Sequence, residues 1–579
     1  MKIKSILKKL IKTILIQKKS LVKIKIRIQK NKNIKNGHYQ LNNLFQISSL
    51  LKISLKKLTK KITKNMNLNK IIQKSVFSKP CFINIFLKIN WIEKKVNKIF
   101  YTKKFNIKNK KNKKKIVVID YSSPNMAKSM HVGHLRSTII GDSTARIMEF
   151  IGYKVIRANH IGDFGNQFGM IIAYLKEIKK IKKIKKMSIS KLEKIYCKAK
   201  KLNSQNQLFY KKTNKYTSKI QEKNKSCYKI WKYIVKLNLK KNEKIYKLLN
   251  ITLKKKDIVG ESFYQKMLPK ITSDLIKKNI AVIKNKNIII FLKNTKNRKG
   301  KKMGVIIKKN NGPFLYSAID IACLKYRYKN LKANIILYYV DSRQKQHLSQ
   351  VYQISKKAGY ISNKLKVKHH IFGMMLSGKN RPFQTRSGNT IKLSKLLKES
   401  IIRAKNLILK KDKTINSKKL NTLSKIIGIG AIKYSDLSKN RITNYIFNWK
   451  NTLSFEGNTS LYIQYTYTRI QSILKNYKKN VLKLKKFFHI SNNLETTLSI
   501  QILEFKETIY KASKKGQPHL ICLYIYKLAS NYSKFYEKYK ILKEKNKNKK
   551  ITRLKISFLT SKILKKGLNL LGIKVIKKM

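Results

Sequence analysis

Acidic residues are scarce. Only 23 Asp and Glu stand against 138 Lys and Arg in 579 residues, a formal net charge of +115. Such a balance suits a polyanionic partner, because a cationic surface attracts phosphate backbones and speeds encounter at low salt. It does not identify one. Lys, Ile and Asn swell together, even in NIKNKKNKKK ahead of Ile116, as an AT-rich genome produces. Cysteine is sparse too: Cys81, Cys197, Cys227, Cys323 and Cys522 are isolated and form no CxxC pair. That argues against a zinc site or a disulfide framework and fits a reducing compartment. No apolar run approaches the length needed to span a bilayer. The opening MKIKSILKKLIKTILIQKK sets Ile3, Leu7, Leu10, Ile11 and Ile14 opposite lysines. It lacks the Arg/Ser richness of a transit peptide and the apolar core of a signal peptide. A helix packed on its own domain is therefore preferred over a membrane-surface or targeting helix.

What is present is an ordinary globular composition, 42% hydrophobic, over a length that allows three or four domains. There is no internal repeat. FINIFLKI from Phe82 reads as a strand, and the Lys/Asn run after it marks a boundary near residue 112. In KIVVIDYSSPN, Ile116 to Ile119 form the short continuous apolar run of a buried parallel strand. HLRSTIIGDSTARIMEFIG follows with helical spacing, and YKVIRANHIGDFGNQFGMIIAYL repeats the plan of strand, turn and helix. This alternation predicts a parallel α/β sheet with ligands at the carboxyl ends of its strands. Ile178 to Asn250 reads as a lysine-rich helical insertion. α/β patterns return with NIIIFL, MGVIIKK and ANIILYYVDSRQKQHLSQVYQISKKAGY, and beyond Lys392 the pattern is helical almost throughout.

The chemistry concentrates in NMAKSMHVGHLRSTIIGD. A strand runs through a loop into a helix that starts near His134, whose free N–H groups favour phosphate. Gly133 lets a ring or a phosphate approach the backbone. His131 and His134 are placed to stabilise charge developing on phosphorus. HVGH alone is weak, and two histidines satisfied by capping remain the alternative for so short a motif. A metal site is the poorer reading, since no Asp, Glu or Cys cluster stands at ligand spacing nearby.

DYSSPNMAKSMHVGHLRSTIIGD, IRANHIGDFGNQFG, YVDSRQKQHLSQV, FGMML and TRSGNTIKLSKLL together resemble the signature blocks of bacterial arginyl-tRNA synthetases. HVGH stands where class I synthetases carry HIGH. The likeness is collinear over nearly the whole chain, from NGHYQLN at Asn36 to the closing LNLLGIKVIKKM. The resemblance implies an α/β fold: a Rossmann-like parallel-sheet catalytic domain, an α+β N-terminal domain and an all-α anticodon-binding bundle. The division expected is 1–112 for the tRNA-contacting N-terminal domain, 113–450 for the catalytic domain with its helical insertion at about 178–285, and 451–579 for the bundle. It implies ligation of arginine to the 2′-hydroxyl of the terminal adenosine of tRNA(Arg), through arginyl-adenylate. ATP enters with Mg²⁺ as the substrate complex, and no protein-bound zinc is expected. A cytoplasmic monomer without membrane attachment is implied as well. The rival expectation is a degenerate synthetase that binds tRNA or RNA without catalysis.

The same resemblance assigns roles residue by residue. His131, Gly133, His134, His160, Gly162, Asp163, Met374 and Met375 would hold ATP, the two methionines with their backbone toward adenine. Asp120, Asp320 and Gln344 would take the guanidinium of arginine, beside Tyr316, with Ser122 and Asn125 at its carboxylate and amino ends. A planar fork of donors wants such acceptors. GKNRPFQTRSG departs from the family's lysine-rich KMSKS loop, with Gln384 at a position where lysine is usual. Its charge is expected from Lys128, Lys379, Arg381 and Arg386. Tyr462, Tyr536 and Met579 are the candidates for tRNA contact, the tyrosines as stacking surfaces for splayed bases or as bundle core.

Overall fold

A computed structural model describes residues 2–15, 25–31, 33–102, 105, 107–178, 184, 187–296, 300, 302–309, 314–377, 391–477, 479–484 and 486–576. The expected strand is Ile116–Asp120, with Val117, Val118 and Ile119 fully buried. It is the centre of a five-stranded parallel sheet ordered Lys366–His369, Ile335–Tyr338, Ile116–Asp120, Lys154–Ile161 and Ile258–Gly260. The chain lays down Ile116–Asp120 and then, in sequence, the two strands on one side of it, before it returns to the other side. Asp120 therefore ends the strand at which the strand order reverses, where a crevice opens between diverging connections.

The helix after the signature loop is Gly133–Phe150. It is buried on nearly every side, so its polar residues need partners inside the protein. Arg136 supplies three contacts: to Asp436 at 3.2 Å, to the carbonyl of Gly373 at 2.8 Å and to that of Thr443 at 3.0 Å. Ser137 Oγ donates to the carbonyl of Tyr339, and Ser143 Oγ to that of Leu570, near the end of the chain. A Cβ on Gly141 would lie 2.2 Å from Cβ of Tyr121, so only glycine lets the helix seat this close to the strand end. Asp142 pairs with Arg146, and Arg146 donates to the carbonyls of Asn250 and Asn569. Lys433, fully buried, donates to the carbonyls of Leu249 and Gly572 beside them.

The insertion is built from Ile189–Gln205, Gln207–Gln221 and Lys225–Leu248, packed on Asn166–Glu177 through Phe168, Ile171, Phe209 and Trp231. The chain rejoins the main sheet at Ile258–Gly260, inside the stretch expected to be helical insertion to about residue 285. NIIIFL and MGVIIKK do not enlarge the parallel sheet. Asn287–Lys296 and Lys302–Lys308 pair antiparallel, with Val282–Lys284, in a separate three-stranded sheet. A short connection favours antiparallel neighbours, whereas parallel strands need a crossover.

In the N-terminal region an antiparallel sheet ordered Ile28–Lys30, Tyr39–Leu41, Phe82–Leu87 and Ile72–Ser78 packs with helices Ile3–Leu15, Leu44–Leu51 and Leu55–Asn67. Ile3, Leu7, Ile11 and Leu15, four apart, are buried in a core that the N-terminal region shares with the bundle, so the opening helix spends its apolar face inside the protein, against Leu55–Asn67 and Asn493–Lys515. Lys30 and Tyr39 reach Glu504 of the C-terminal bundle at 2.7 and 2.8 Å. That bundle contains Ser460–Asn476, Asn493–Lys515, His519–Lys538 and Lys547–Leu570. No helix among the described residues is long and apolar enough to cross a membrane.

Candidate active site

The signature loop closes on itself. The two imidazole rings lie 4.0 Å apart between centroids. His131 Nδ1 accepts the N–H of Gly133, and His134 Nδ1 accepts the N–H of His131, both at 3.1 Å. A Cβ on Gly133 would come within 2.8 Å of the His131 ring, so the glycine makes this fold of the loop possible. Burial, followed by its neighbour His131, drives the His134 imidazole down to about 4; burial and Lys128 also lower His131. Both rings are therefore neutral near pH 7. A neutral imidazole that accepts through Nδ1 carries its proton on Nε2, so each ring keeps one N–H donor for a ligand. One nitrogen of each ring fastens the loop, and the other takes no part in that fastening.

Asp320 stands one turn into the helix Tyr316–Lys329. Its Oδ2 lies 2.5 Å from His347 Nε2, and its Oδ1 lies 3.9 Å from His160 Nε2. Tyr316, exposed at the helix start, packs edge-on against His347. Asp120 is buried; its Oδ2 accepts from Arg327 at 2.6 Å and its Oδ1 from Ser123 Oγ at 2.8 Å. Burial opposes charge on His160, yet the Cys323 sulfur, Asp120 and Asp320 around it push the imidazole up to about 9. Burial pushes the carboxyl of Glu261, near His160, Asp320 and Asp163, up to about 7.

Several expected contacts are arranged otherwise. Ser122, at φ 73°, turns its hydroxyl inward to Tyr246 at 2.7 Å and Thr138 at 2.9 Å, away from the crevice. The carboxylate of Asp163 is buried and engaged by Ser262 N–H at 3.0 Å and Ser262 Oγ at 2.7 Å, so it fastens two strand ends and is not open to ATP. Met374 does not offer its backbone: its N–H donates to Asn444 and its carbonyl accepts from Tyr445, because Met375–Leu376 pairs with Tyr445–Ile446. Met375 is buried, while the Met374 side chain is half-exposed. Asn125 and Gly162 form an isolated bridge that joins the two strand-end loops, with Asn125 Nδ2 on Gln167 at 2.5 Å. Gln344 lies exposed in the turn Ser342–Gln344. Lys128 is exposed, its ammonium 4.6 Å above the Tyr196 ring. Lys379, Arg381, Gln384, Arg386 and Met579 lie outside the described residues.

Sequence reasoning passed over His347, Glu261, Arg327, Cys323 and Tyr264. His347 belongs to the quoted YVDSRQKQHLSQV, three residues past Gln344, and Glu261 is one of only 23 acids, so scarcity alone would have marked it.

Matches to known proteins follow the same geometry. Residues 95–449 match the family model described as tRNA synthetases class I (R), catalytic domain. Residues 1–87 match the arginyl tRNA synthetase N terminal domain, and 463–579 the DALR anticodon binding domain. An arginine–tRNA ligase of Buchnera aphidicola subsp. Schizaphis graminum is 54% identical over 582 residues, all of both chains. The chain belongs to the class I arginyl-tRNA synthetase family. A second arginyl-tRNA synthetase relative, from Wigglesworthia glossinidia brevipalpis, is 51% identical over the full length of both chains. The crystal structure of the Plasmodium falciparum arginyl-tRNA synthetase superposes with a TM-score of 0.85 at 31% identity, covering 100% of this chain and 99% of that one. The Thermus thermophilus arginyl-tRNA synthetase shares the fold at a TM-score of 0.78 and 19% identity, covering 99% and 100%.

In the family's anticodon-binding region Arg469 stacks between two rings, 4.8 Å from Tyr465 and 5.0 Å from Tyr536. Tyr465 is exposed, whereas Tyr462 is wedged between helices, edge-on to Tyr526 and bonded to Ser533 at 3.2 Å.

Proposed function

We propose that this arginine–tRNA ligase runs both of its steps at the strand-order reversal, with His131 and His134 on the phosphates of ATP and Asp320 on the guanidinium of arginine. Arginine's carboxylate attacks the α-phosphorus, giving arginyl-adenylate and pyrophosphate. The 2′-hydroxyl of the terminal adenosine of tRNA(Arg) then takes the arginyl group, and AMP leaves. The observation that carries the reading is the pair of Nε2–H donors on the loop that leaves the strand ended by Asp120, with His160 of the neighbouring strand 3.9 Å from Asp320. Donors fixed before the reaction stabilise developing phosphate charge without reorganising. Asp120 contributes although Arg327 and Ser123 already reach it, since a carboxylate offers about four acceptor sites.

Mg²⁺ arrives on ATP as part of the substrate, and among the described residues no group of three or more His, Cys, Asp or Glu could hold a metal ion. Asn125 lies at the amino end of arginine and Gly162 beside ATP; Ser122 and Asp163 shape the loops that carry them. His160, assigned to ATP by sequence, acts instead on the arginine side through Asp320. Tyr536 and Tyr465, with Arg469 between them, form the stacking surface for anticodon bases. The N-terminal domain to about residue 112 and the bundle from about 451 grip tRNA around the catalytic domain, in a cytoplasmic monomer. The test is ATP-dependent charging of total tRNA with each radiolabelled amino acid in turn. Arginine alone is expected to be retained, and equal charging with lysine or glutamine would overturn the pocket.

The arginine site also carries a proton linkage. His160, raised to about 9, is a cation beside Asp320 in the empty site, and Glu261, raised to about 7, is partly neutral at pH 7. An arriving guanidinium competes with the first and needs the second ionised. Arginine affinity is therefore expected to rise between pH 6 and 9, by up to about tenfold per pH unit for each linked proton. Isothermal titration across that range checks it, and His160→Gln should flatten the upper part of the profile. An affinity independent of pH would remove His160 from the pocket.

A further inference from the structure

The lysine-rich insertion touches the signature loop around Ser129, and charge gathers there. The N–H of Ser129, two residues before His131, donates to Glu193 Oε1 at 2.9 Å. Glu193 Oε2 holds the ammonium of Lys392. The ammonium of Lys241 hydrogen bonds Ser129 Oγ and stands 3.9 Å from Glu193 Oε1. Glu193 and Lys241 come from two helices of the insertion, Ile189–Gln205 and Lys225–Leu248. Tyr196, three residues after Glu193, carries Lys128 on its face.

Lys392 is tied to the loop by backbone. It forms an antiparallel bridge with His131, flanked by Val132 N–H to the carbonyl of Ile391 and Leu393 N–H to that of Met130, both at 3.0 Å. Partners directly opposite in an antiparallel bridge send their side chains to the same side. Lys392 and His131 thus share one side of this short ladder. Burial works against charge on Glu193, but Lys392, Ser129 and Lys241 keep its carboxyl below the usual range. The Glu193 side chain is only 16% exposed, against 50% for Lys392, so the lysine is free to swing while the acid is not.

We propose that Lys241 and Lys392 are cations of the triphosphate site, kept at their posts in the free protein by Glu193, which yields them to the phosphates when ATP binds. The idea rests on the reading of His131 and His134 as the ATP site. One carboxylate cannot hold two ammonium groups against a triphosphate of several charges at similar distance, because the attraction scales with the product of charges. The role of the insertion is then to bring Lys241 to the phosphates and, through Glu193, to hold Lys392 beside it, both lysines standing outside the segment that departs from KMSKS. Glu193 is a positioning residue in this scheme, and the lysines touch substrate.

The experiment is arginine- and tRNA-dependent ATP–pyrophosphate exchange by the full chain, with KM measured separately for ATP and for arginine. Lys392→Gln and Lys241→Gln are each expected to raise KM for ATP about tenfold, the loss of one charge-assisted phosphate contact. KM for arginine should stay at the parent value, and Lys392→Arg should restore KM for ATP. Glu193→Gln keeps the acceptor for Ser129 and removes the competing charge, so KM for ATP should fall. A structural staple predicts the opposite sign for Glu193→Gln, with KM for ATP and arginine rising together, and that result overturns the proposal. Unchanged KM for ATP in both lysine variants overturns it as well, while a collapse of exchange in His131→Ala would leave the ATP site itself standing. Parent-level exchange in His131→Ala would instead overturn the ATP site on which the proposal rests.

Discussion

Replacing His131 or His134 by alanine is expected to slow arginyl-adenylate formation by about 100- to 1000-fold, the usual effect of deleting a donor aimed at developing charge. Each ring fastens the loop through Nδ1 and presents Nε2–H. Alanine therefore removes both a donor and a fastening, and His131→Asn, which restores a side-chain amide without the ring, should recover part of the loss. Burial holds His134 down to about 4, so this ring gains no proton between pH 6 and 8, and burial with Lys128 lowers His131 in the same direction. Single-turnover adenylate formation should accordingly show no titration of His134 in that window, and tRNA binding should be left intact. Adenylate formed at the parent rate by both alanine variants would reduce the motif to a loop cap.

Asp320→Asn is the second large effect. The amide preserves shape and can still accept from His347, but it removes the charge that a guanidinium seeks. Truncating one partner of a buried, hydrogen-bonded charge pair costs about 2–5 kcal/mol. KM for arginine should thus rise by a factor on the order of 30 to several thousand. KM for ATP should not follow it, since the contacts of Asp320 are with His347 and His160 and not with the histidine pair of the signature loop. An unchanged KM for arginine in this variant would show that the guanidinium lies elsewhere. Lysine should remain a poor substrate for the variant, because a compact ammonium cannot span Asp320 and Asp120 as a planar fork does.

The parts of the fold that sequence declares locally are the ones it declared well. Four consecutive apolar residues from Ile116, bounded by lysines and a polar turn, form a strand covered on both faces, and the segment after Gly133 is the helix that its spacing predicts. The family blocks were equally visible, because they are contiguous. What stayed hidden depends on residues far apart in the chain. Arg327 reaches Asp120 across 207 positions, and no periodicity announces it. NIIIFL and MGVIIKK have the composition of parallel strands, yet short spacing folds them against each other. Ser122 and Asp163 stand at crevice positions in sequence but face inward, since a left-handed φ turns one and Ser262 captures the other. Met374 lost its free backbone to a strand contributed some 70 residues later. In each case a polar group found a partner inside the protein before any ligand arrived.

The helix Gly133–Phe150 is, mechanically, a strut. Its 18 residues span about 27 Å, and over that length an α-helix passes axial displacement and twist with little loss. One end carries His134. Toward the other, Ser143 and Arg146 bear on the carbonyls of Leu570 and Asn569, with the ammonium of Lys433 bearing on Gly572 alongside. Arg136 and the contact of Gly141 with Tyr121 stop the rod from rolling between its bearings. There is little play in such a mounting, so an error in seating the last turn of the bundle reappears as an error in aiming an imidazole. The last turn of the bundle sets the tolerance to which the His134 ring is placed.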